Sequence, residues 1–187
     1  MNIIQRVKDI LLAPKQTWPT IETEPTDPAT LYTQYVMILA LIPAVAGFIG
    51  TSIIGGNVLG FSVRVPLLNG LVSMVVGYLL SLAMIYALSF IVDALAPTFG
   101  GQKNPLNALK LVAYGSTAGM VGGVFSAIPA FSILGLLASL YSIYLLYLGI
   151  PVLMKSPQDK ALPYTAVVLV CGLIAGAVIG GLSAILR

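Results

Sequence analysis

The sequence contains no histidine. That absence excludes the Ser-His-Asp and Cys-His nucleophilic arrangements, the His-Glu-x-x-His zinc site and the usual near-neutral proton relay. There is one cysteine, Cys171, so an intramolecular disulfide is excluded, and its place inside the last apolar run makes a small helix- or lipid-facing residue the expectation. Charge is scarce: 8% of the residues are Asp, Glu, Lys or Arg, against about 25% in soluble domains. The net charge of +3 is spread over connecting segments rather than gathered into a basic stripe, so no nucleic-acid partner is expected. Gly-Gly pairs at 55–56, 100–101, 122–123 and 180–181 lack the Lys-Ser/Thr sequel of a phosphate-binding loop and the setting of a dinucleotide fingerprint. The clustered acids, Glu22, Glu24 and Asp27, fall in a Pro-rich hydrophilic stretch where solvated charge is the default. The expectation is no catalytic residue, no cofactor and no metal, and hence not an enzyme.

What the chain has in abundance is uninterrupted apolar sequence. Residues 111–154 run 44 positions without a charge, and further charge-free runs cover 28–63, 65–92 and 161–186. A hydrocarbon layer about 30 Å thick needs roughly 20 apolar residues per helix, so the longest run is enough for two crossings. The fold class expected is all-α: a polytopic membrane bundle of five transmembrane helices with an amphipathic amino-terminal helix. The spans are placed at about 29–52, 66–92, 107–128, 130–152 and 163–186, a transmembrane domain of 29–187 preceded by a leader of 1–28. Gly55-Gly56-Asn57, Pro97 with Gly100-Gly101, Pro129, and Ser156-Pro157 with Pro163 break the chain between them. Asp27 followed by Pro28 supplies an N-cap and a favoured first helical residue for the first span.

In the leader, Ile3, Ile4, Val7, Ile10 and Leu11 recur at helical spacing, with Gln5, Arg6, Lys8 and Asp9 opposite. Arg6, Lys8 and Asp9 interrupt the apolar run, so a cleavable signal is not expected. Such a helix can lie in the headgroup layer or dock on the cytoplasmic face of the bundle, and the two are compatible. Pro14 ends it, and residues 15–28, with three prolines and three acids, read as a linker without secondary structure. Trp18, Tyr32, Tyr35, Tyr147 and Tyr164 lie near expected span boundaries and read as interfacial anchors. With the amino terminus cytoplasmic, Arg6, Lys8, Lys15, Lys103, Lys110, Lys155 and Lys160 fall inside, and only Arg64 and Arg187 outside. That bias favours a multi-pass protein with its amino terminus in the cytoplasm and its carboxyl terminus outside. Gly115, Gly119 and Gly123 in the third span and Gly172, Gly176, Gly180 and Ala184 in the fifth form small-residue ridges, read as packing seams.

The densest polar region at a membrane boundary is DALAPTFGGQKNPLNALKLVAYG, residues 93–115. Lys110 lies more than a turn inside the third helix and must snorkel or pair, and Asp93 is the nearest acid at that depth, so an Asp93–Lys110 pair is expected. Structurally it would be a staple between helices; functionally, a gate or ligand contact. Tyr114, four residues on, shares the face of Lys110. The candidate cytoplasmic polar cluster is Asp93, Gly100, Gly101, Lys110, Tyr114, Lys155 and Lys160.

The five-span body, the DALAPTFGG and ALKLVAYG passages and LYSIYLLYLGIPVLMKSPQDKA together resemble the Yip family of Ypt/Rab-GTPase-interacting membrane proteins, in its bacterial inner-membrane branch. The residues that carry the resemblance are Pro14, Trp18, Asp93, Gly100, Gly101, Tyr114, Gly149, Lys155, Pro157 and Lys160. It implies a five-span topology, an inner-membrane location and no known catalysis. Eukaryotic relatives bind small GTPases through a long cytosolic region with an Asp-Leu-Tyr-Gly-Pro element, which this sequence lacks, so GTPase binding is not carried over. The leading expectation is a non-enzymatic scaffold or lipid-organising factor whose partner is the bilayer. The alternative is a small transporter or channel for an ion, small solute or lipid, working as a homo-oligomer because five helices enclose only a narrow path.

Overall fold

The structure is a computed structural model that describes residues 2–58 and 61–185, by backbone alone at 56–58, 61–63, 129, 132 and 178–185. Five helices are long and apolar enough to cross a bilayer: Pro28–Ile54, Leu67–Phe99, Pro105–Ala127, Ile133–Leu153 and Gln158–Ala177. They are called the first to fifth spans below, and the helix of the fifth continues to Ile185. The first begins as its sequence dictates, with Pro28 at the first helical position and the Asp27 carboxylate accepting the Thr30 N–H at 2.9 Å. The Thr30 hydroxyl donates to the same carboxylate and holds its pKa below the usual value.

The third span is the axis of the bundle. Within its most apolar stretch 67% of the residues are buried, against 17–28% in the other four spans. Lipid gives helices no hydrophobic reason to associate, so close approach depends on small residues. Here the glycine ridge supplies it. A Cβ on Gly115 would lie 2.6 Å from Leu146 Cδ2, one on Gly119 3.3 Å from Ser142 Oγ, and one on Gly122 would strike the Ala138 methyl. The partners step back by four residues along the fourth span as the glycines step forward, the register of an antiparallel hairpin. Gly123 turns instead to Pro43 of the first span. In the fifth span Gly172 faces Leu88 and Gly176 approaches Met84, both on the second span, while Gly180 and Ala184 lie where only the backbone is described.

At one end of the bundle the first span runs out at Gly55, whose φ of +73° suits glycine, into two short antiparallel strands, Gly56–Val58 and Phe61–Val63. Arg64 then folds back: Nε donates to Ser52 O at 2.9 Å, and the guanidinium also bonds Ile53 O. A cation thus caps carbonyls that the end of the helix leaves without partners. Arg187 lies outside the described residues.

Two expectations are corrected at the other end. Residues 15–28 are not an unstructured linker, because Pro14–Thr23 forms a second leader helix, α2, directly after α1 (Ile3–Leu12). Pro14 does end α1, but as the first residue of the next helix. Its buried residues, Pro14, Thr17, Trp18 and Ile21, fall at i, i+3, i+4 and i+7, one face of a helix. The aromatic residues are not all interfacial anchors either: Trp18, Tyr35 and Tyr164 are fully buried within the protein. Tyr35 Oη lies 2.7 Å from Thr117 Oγ1, and the Tyr164 hydroxyl donates to Val92 O while its ring stacks on Phe99.

Candidate functional site

The leader forms a helical hairpin laid into the side of the bundle. Its turn is level with the middle of the fourth span, where Tyr141 Oη donates to Leu11 O at 2.8 Å. From there α2 runs in the same direction as the fourth span. Trp18 lies against Gly149, where a Cβ would come within 2.9 Å of the indole, and Glu22 forms an ion pair with Lys155 just beyond the span. Ten residues at about 1.5 Å each carry α2 about 15 Å along the bundle, roughly half a hydrocarbon layer. The leader is docked on the bundle, with Ile10, Trp18 and Ile21 buried. Ile4, Lys8, Leu12 and Lys15 remain exposed on its outer side.

Docking is held by charges that the sequence distributes over two regions. Lys110, only 3% exposed, sits on the third span with its ammonium pointing at the end of α2. Nζ donates to Ile21 O at 2.8 Å, Glu22 O at 3.4 Å and Glu24 O at 2.7 Å. An ammonium has three donors, and the leader backbone accepts all three. These are carbonyls that the end of a helix leaves free, so the cation also meets the negative end of the helix dipole. Arg6 of α1 pairs with Glu24, and its guanidinium lies over the Tyr114 ring, 5.7 Å from the centroid. Lys110, Tyr114, Glu24, Thr30 and Gln34 together line a cavity of about 120 Å³.

The expected Asp93–Lys110 pair is therefore not formed. Asp93 Oδ1 accepts the backbone N–H of Asn104 at 2.7 Å, while Asn104 caps the third span by accepting the Asn107 N–H at 3.0 Å. Asp93 instead ties the end of the second span to the start of the third through a backbone amide. Gly100 and Gly101 belong to the same joint. Gly100 has φ +72° and packs on Pro157, Gly101 would place a Cβ 2.7 Å from Met154 O, and Gln102 N–H donates to that carbonyl at 2.7 Å. Lys155 joins the leader cluster through Glu22, whereas Lys160 is exposed in the turn Gln158–Lys160 and forms no ion pair among the described residues. The seven candidate residues thus divide into Lys110, Tyr114 and Lys155 against the leader, Asp93, Gly100 and Gly101 at the joint between spans, and Lys160 in neither.

Sequence reasoning missed Arg6, Trp18, Glu22 and Glu24 as parts of this site. The signal for them was Lys110 itself: a cation inside an apolar span needs acceptors, and Asp93 was not the only source. The arrangement presents no nucleophile with an adjacent base, and among the described residues no group of His, Cys, Asp and Glu side chains could hold a metal ion.

Comparison with known proteins gives the same grouping. Over 159 residues the chain is 26% identical to the protein called inner membrane protein YohC in Escherichia coli K12, covering 83% of this chain and 82% of that one. The same figures hold for the protein of that name in Escherichia coli O6:H1. No solved structure matches. The profile of the Yip1 domain matches residues 8–179, from within α1 into the fifth span, and the chain belongs to the Yip1 domain family.

Proposed function

We propose that this protein is a non-enzymatic scaffold of the inner membrane that organises lipid from the cytoplasmic side, with the leader hairpin as a one-sided wedge. The observation that carries the reading is the hairpin's position. Two helices lie beside the bundle over the half nearest the leader, and among the described residues none lies beside the half that ends at Arg64. Each helix is about 10 Å across, so one leaflet must accommodate a wider protein than the other. The exposed residues of the hairpin suit that leaflet: Ile4 and Leu12 offer apolar area, and Lys8, nearer the open end of the hairpin, has the reach to snorkel toward anionic headgroups.

The cytoplasmic placement rests on the Lys and Arg bias of the sequence, seven on the leader side against Arg64 and Arg187, and the compartment on the name of the Escherichia coli relatives. The glycine seam favours a scaffold over a conduit for ions or solutes, since Gly115, Gly119 and Gly122 close the central span directly onto the fourth. Reconstitution into anionic liposomes tests the proposal. Increasing protein should narrow the vesicles, the effect should weaken when Trp18→Ala loosens the wedge, and potassium, proton and small-solute fluxes should stay at the level of empty liposomes. Saturable flux without a change in vesicle size would overturn it.

A further inference from the structure

The turn of the leader hairpin carries a charge into the bilayer. Lys15 is the second residue of α2 and is exposed on the outer side of the hairpin. Glu22, seven residues further on, pairs with Lys155 just beyond the fourth span, so at about 1.5 Å per residue Lys15 starts roughly 10 Å below that boundary. Its side chain sets out in the wrong direction to return. Cα–Cβ bonds tilt toward the amino terminus of a helix, which for α2 is the deep end, so Lys15 leaves the backbone toward the bilayer centre. On the oppositely directed α1 the same tilt sends Lys8 toward the headgroups. An exposed ammonium at the depth of Lys15 is costly unless an anionic group meets it there.

Among the described residues no acid meets it. The acids of the leader are engaged elsewhere: Glu22 with Lys155, Glu24 with Arg6, and Asp9 Oδ1 with the Gln5 amide at 2.7 Å. Beside Lys15 a recess of about 340 Å³ lies between the hairpin turn and the fourth span, and its polar lining is Lys15, Gln16, Tyr141 and Tyr144. Tyr141 already donates its hydroxyl to Leu11 O. The Lys15 ammonium, the Gln16 amide and the Tyr144 hydroxyl form no hydrogen bond among the described residues, so three donor groups open onto one space. Leu12 lines the same recess and is exposed, which keeps it continuous with the surrounding lipid.

We infer that this recess binds the phosphate of an anionic phospholipid drawn below the headgroup plane of its leaflet, with Lys15 neutralising the charge and Tyr144 and Gln16 donating to the phosphate oxygens. The ligand is an amphiphile because the recess is reached sideways from the bilayer: its oxygen-rich end meets the three donors, and its acyl chains lie against Leu12. A carboxylate on another protein would satisfy Lys15, whereas the several acceptor oxygens of a phosphate use all three donors. A lipid held this deep thins the leaflet beside the hairpin. The inference rests on the reading that the hairpin lies in a lipid leaflet, and it names the lipid group that is organised there; lipid binding and vesicle narrowing are separate measurements, so either can fail alone.

The test is lipid binding to the delipidated full-length chain in detergent, counted as lipid bound per chain by native mass spectrometry. The chain is titrated with phosphatidylglycerol, with the diacylglycerol of the same acyl chains, or with inorganic phosphate. Phosphatidylglycerol should bind about tenfold more tightly than diacylglycerol, and Lys15→Met should remove that advantage, the scale of one charge-assisted contact. Lys15→Arg should retain it, Tyr144→Phe should lose part of it, and Lys8→Met, which removes a charge outside the recess, should stay within about twofold of the wild type. Lys15 and Tyr144 are both exposed, so these variants should keep the parent's thermal transition. Equal affinity for the two lipids, an unchanged advantage in Lys15→Met, or an equal loss in Lys8→Met would overturn the inference. Inorganic phosphate should not displace the lipid; displacement would assign the recess to free phosphate instead. In native membranes an apolar carbodiimide, which joins an amine to a neighbouring carboxylate, should give no product that depends on Lys15. A Lys15-dependent adduct with another protein would overturn the lipid assignment in favour of an acidic partner.

Discussion

Trp18→Ala is expected to free the leader from a bundle that otherwise stays folded. The indole is fully buried and lies on Gly149, with Leu111 closing the same space. Truncating a buried tryptophan costs about 3–5 kcal/mol, because contacts are lost and the cavity collapses only in part. In this position the loss falls on the docking of α2, which is joined to the first span only through the short stretch that ends at Asp27. The five spans keep their glycine seam and should retain their thermal transition. Limited trypsin digestion separates the two effects, since Lys15 lies in α2 and is cut only when that helix opens. Cleavage there should rise by an order of magnitude or more, following the arithmetic of about 1.4 kcal/mol per factor of ten.

Lys110→Met should also weaken docking, by about 2–4 kcal/mol. Hydrogen bonds to a charged group contribute roughly 1.5–3 kcal/mol each, and the carbonyls of Ile21, Glu22 and Glu24 lose all three while regaining some solvation from the adjoining cavity. The double mutant with Trp18→Ala should lose less than the sum of the two, because either change alone already frees the same helix. Asp93→Asn gives the contrasting result. The Asp93 carboxylate bonds Asn104 N–H and does not contact Lys110, so the losses from Asp93→Asn and Lys110→Met should add to within about 0.5 kcal/mol in detergent melts. A recovery in that double mutant would restore the ion pair that the geometry rules out.

The five spans were legible because lipid leaves the sequence so little choice: each contains a long charge-free stretch, and each boundary carries proline, glycine or a charged residue. The fold of the leader was less legible. Three prolines and three acids between Lys15 and Pro28 read as a linker, yet Pro14, Thr17, Trp18 and Ile21 repeat with helical spacing. Pro19 is exposed on the outer side of α2, where its ring meets no neighbouring helix. Lys110 was recognised as a cation in need of partners, but pairing charge with charge pointed to Asp93. The free end of a helix offers carbonyls at lower desolvation cost than a carboxylate, and a helix that was not foreseen could not be proposed as the acceptor. The buried tyrosines were misplaced for a related reason. An aromatic ring near a span end suits the membrane interface equally well until a neighbour such as Thr117 or Val92 is known to take its hydroxyl.

The docked leader is the claim on which the wedge rests, and a cross-link in native membranes tests it most directly. Cysteines replacing Glu22 and Lys155, in a Cys171→Ala background, stand where the ion pair brings α2 to the end of the fourth span. A short thiol-to-thiol reagent should join them within one chain at high yield, and Trp18→Ala should abolish the product. If each cysteine reacts singly with a maleimide but the pair is never joined, the leader lies away from the bundle and the account is contradicted.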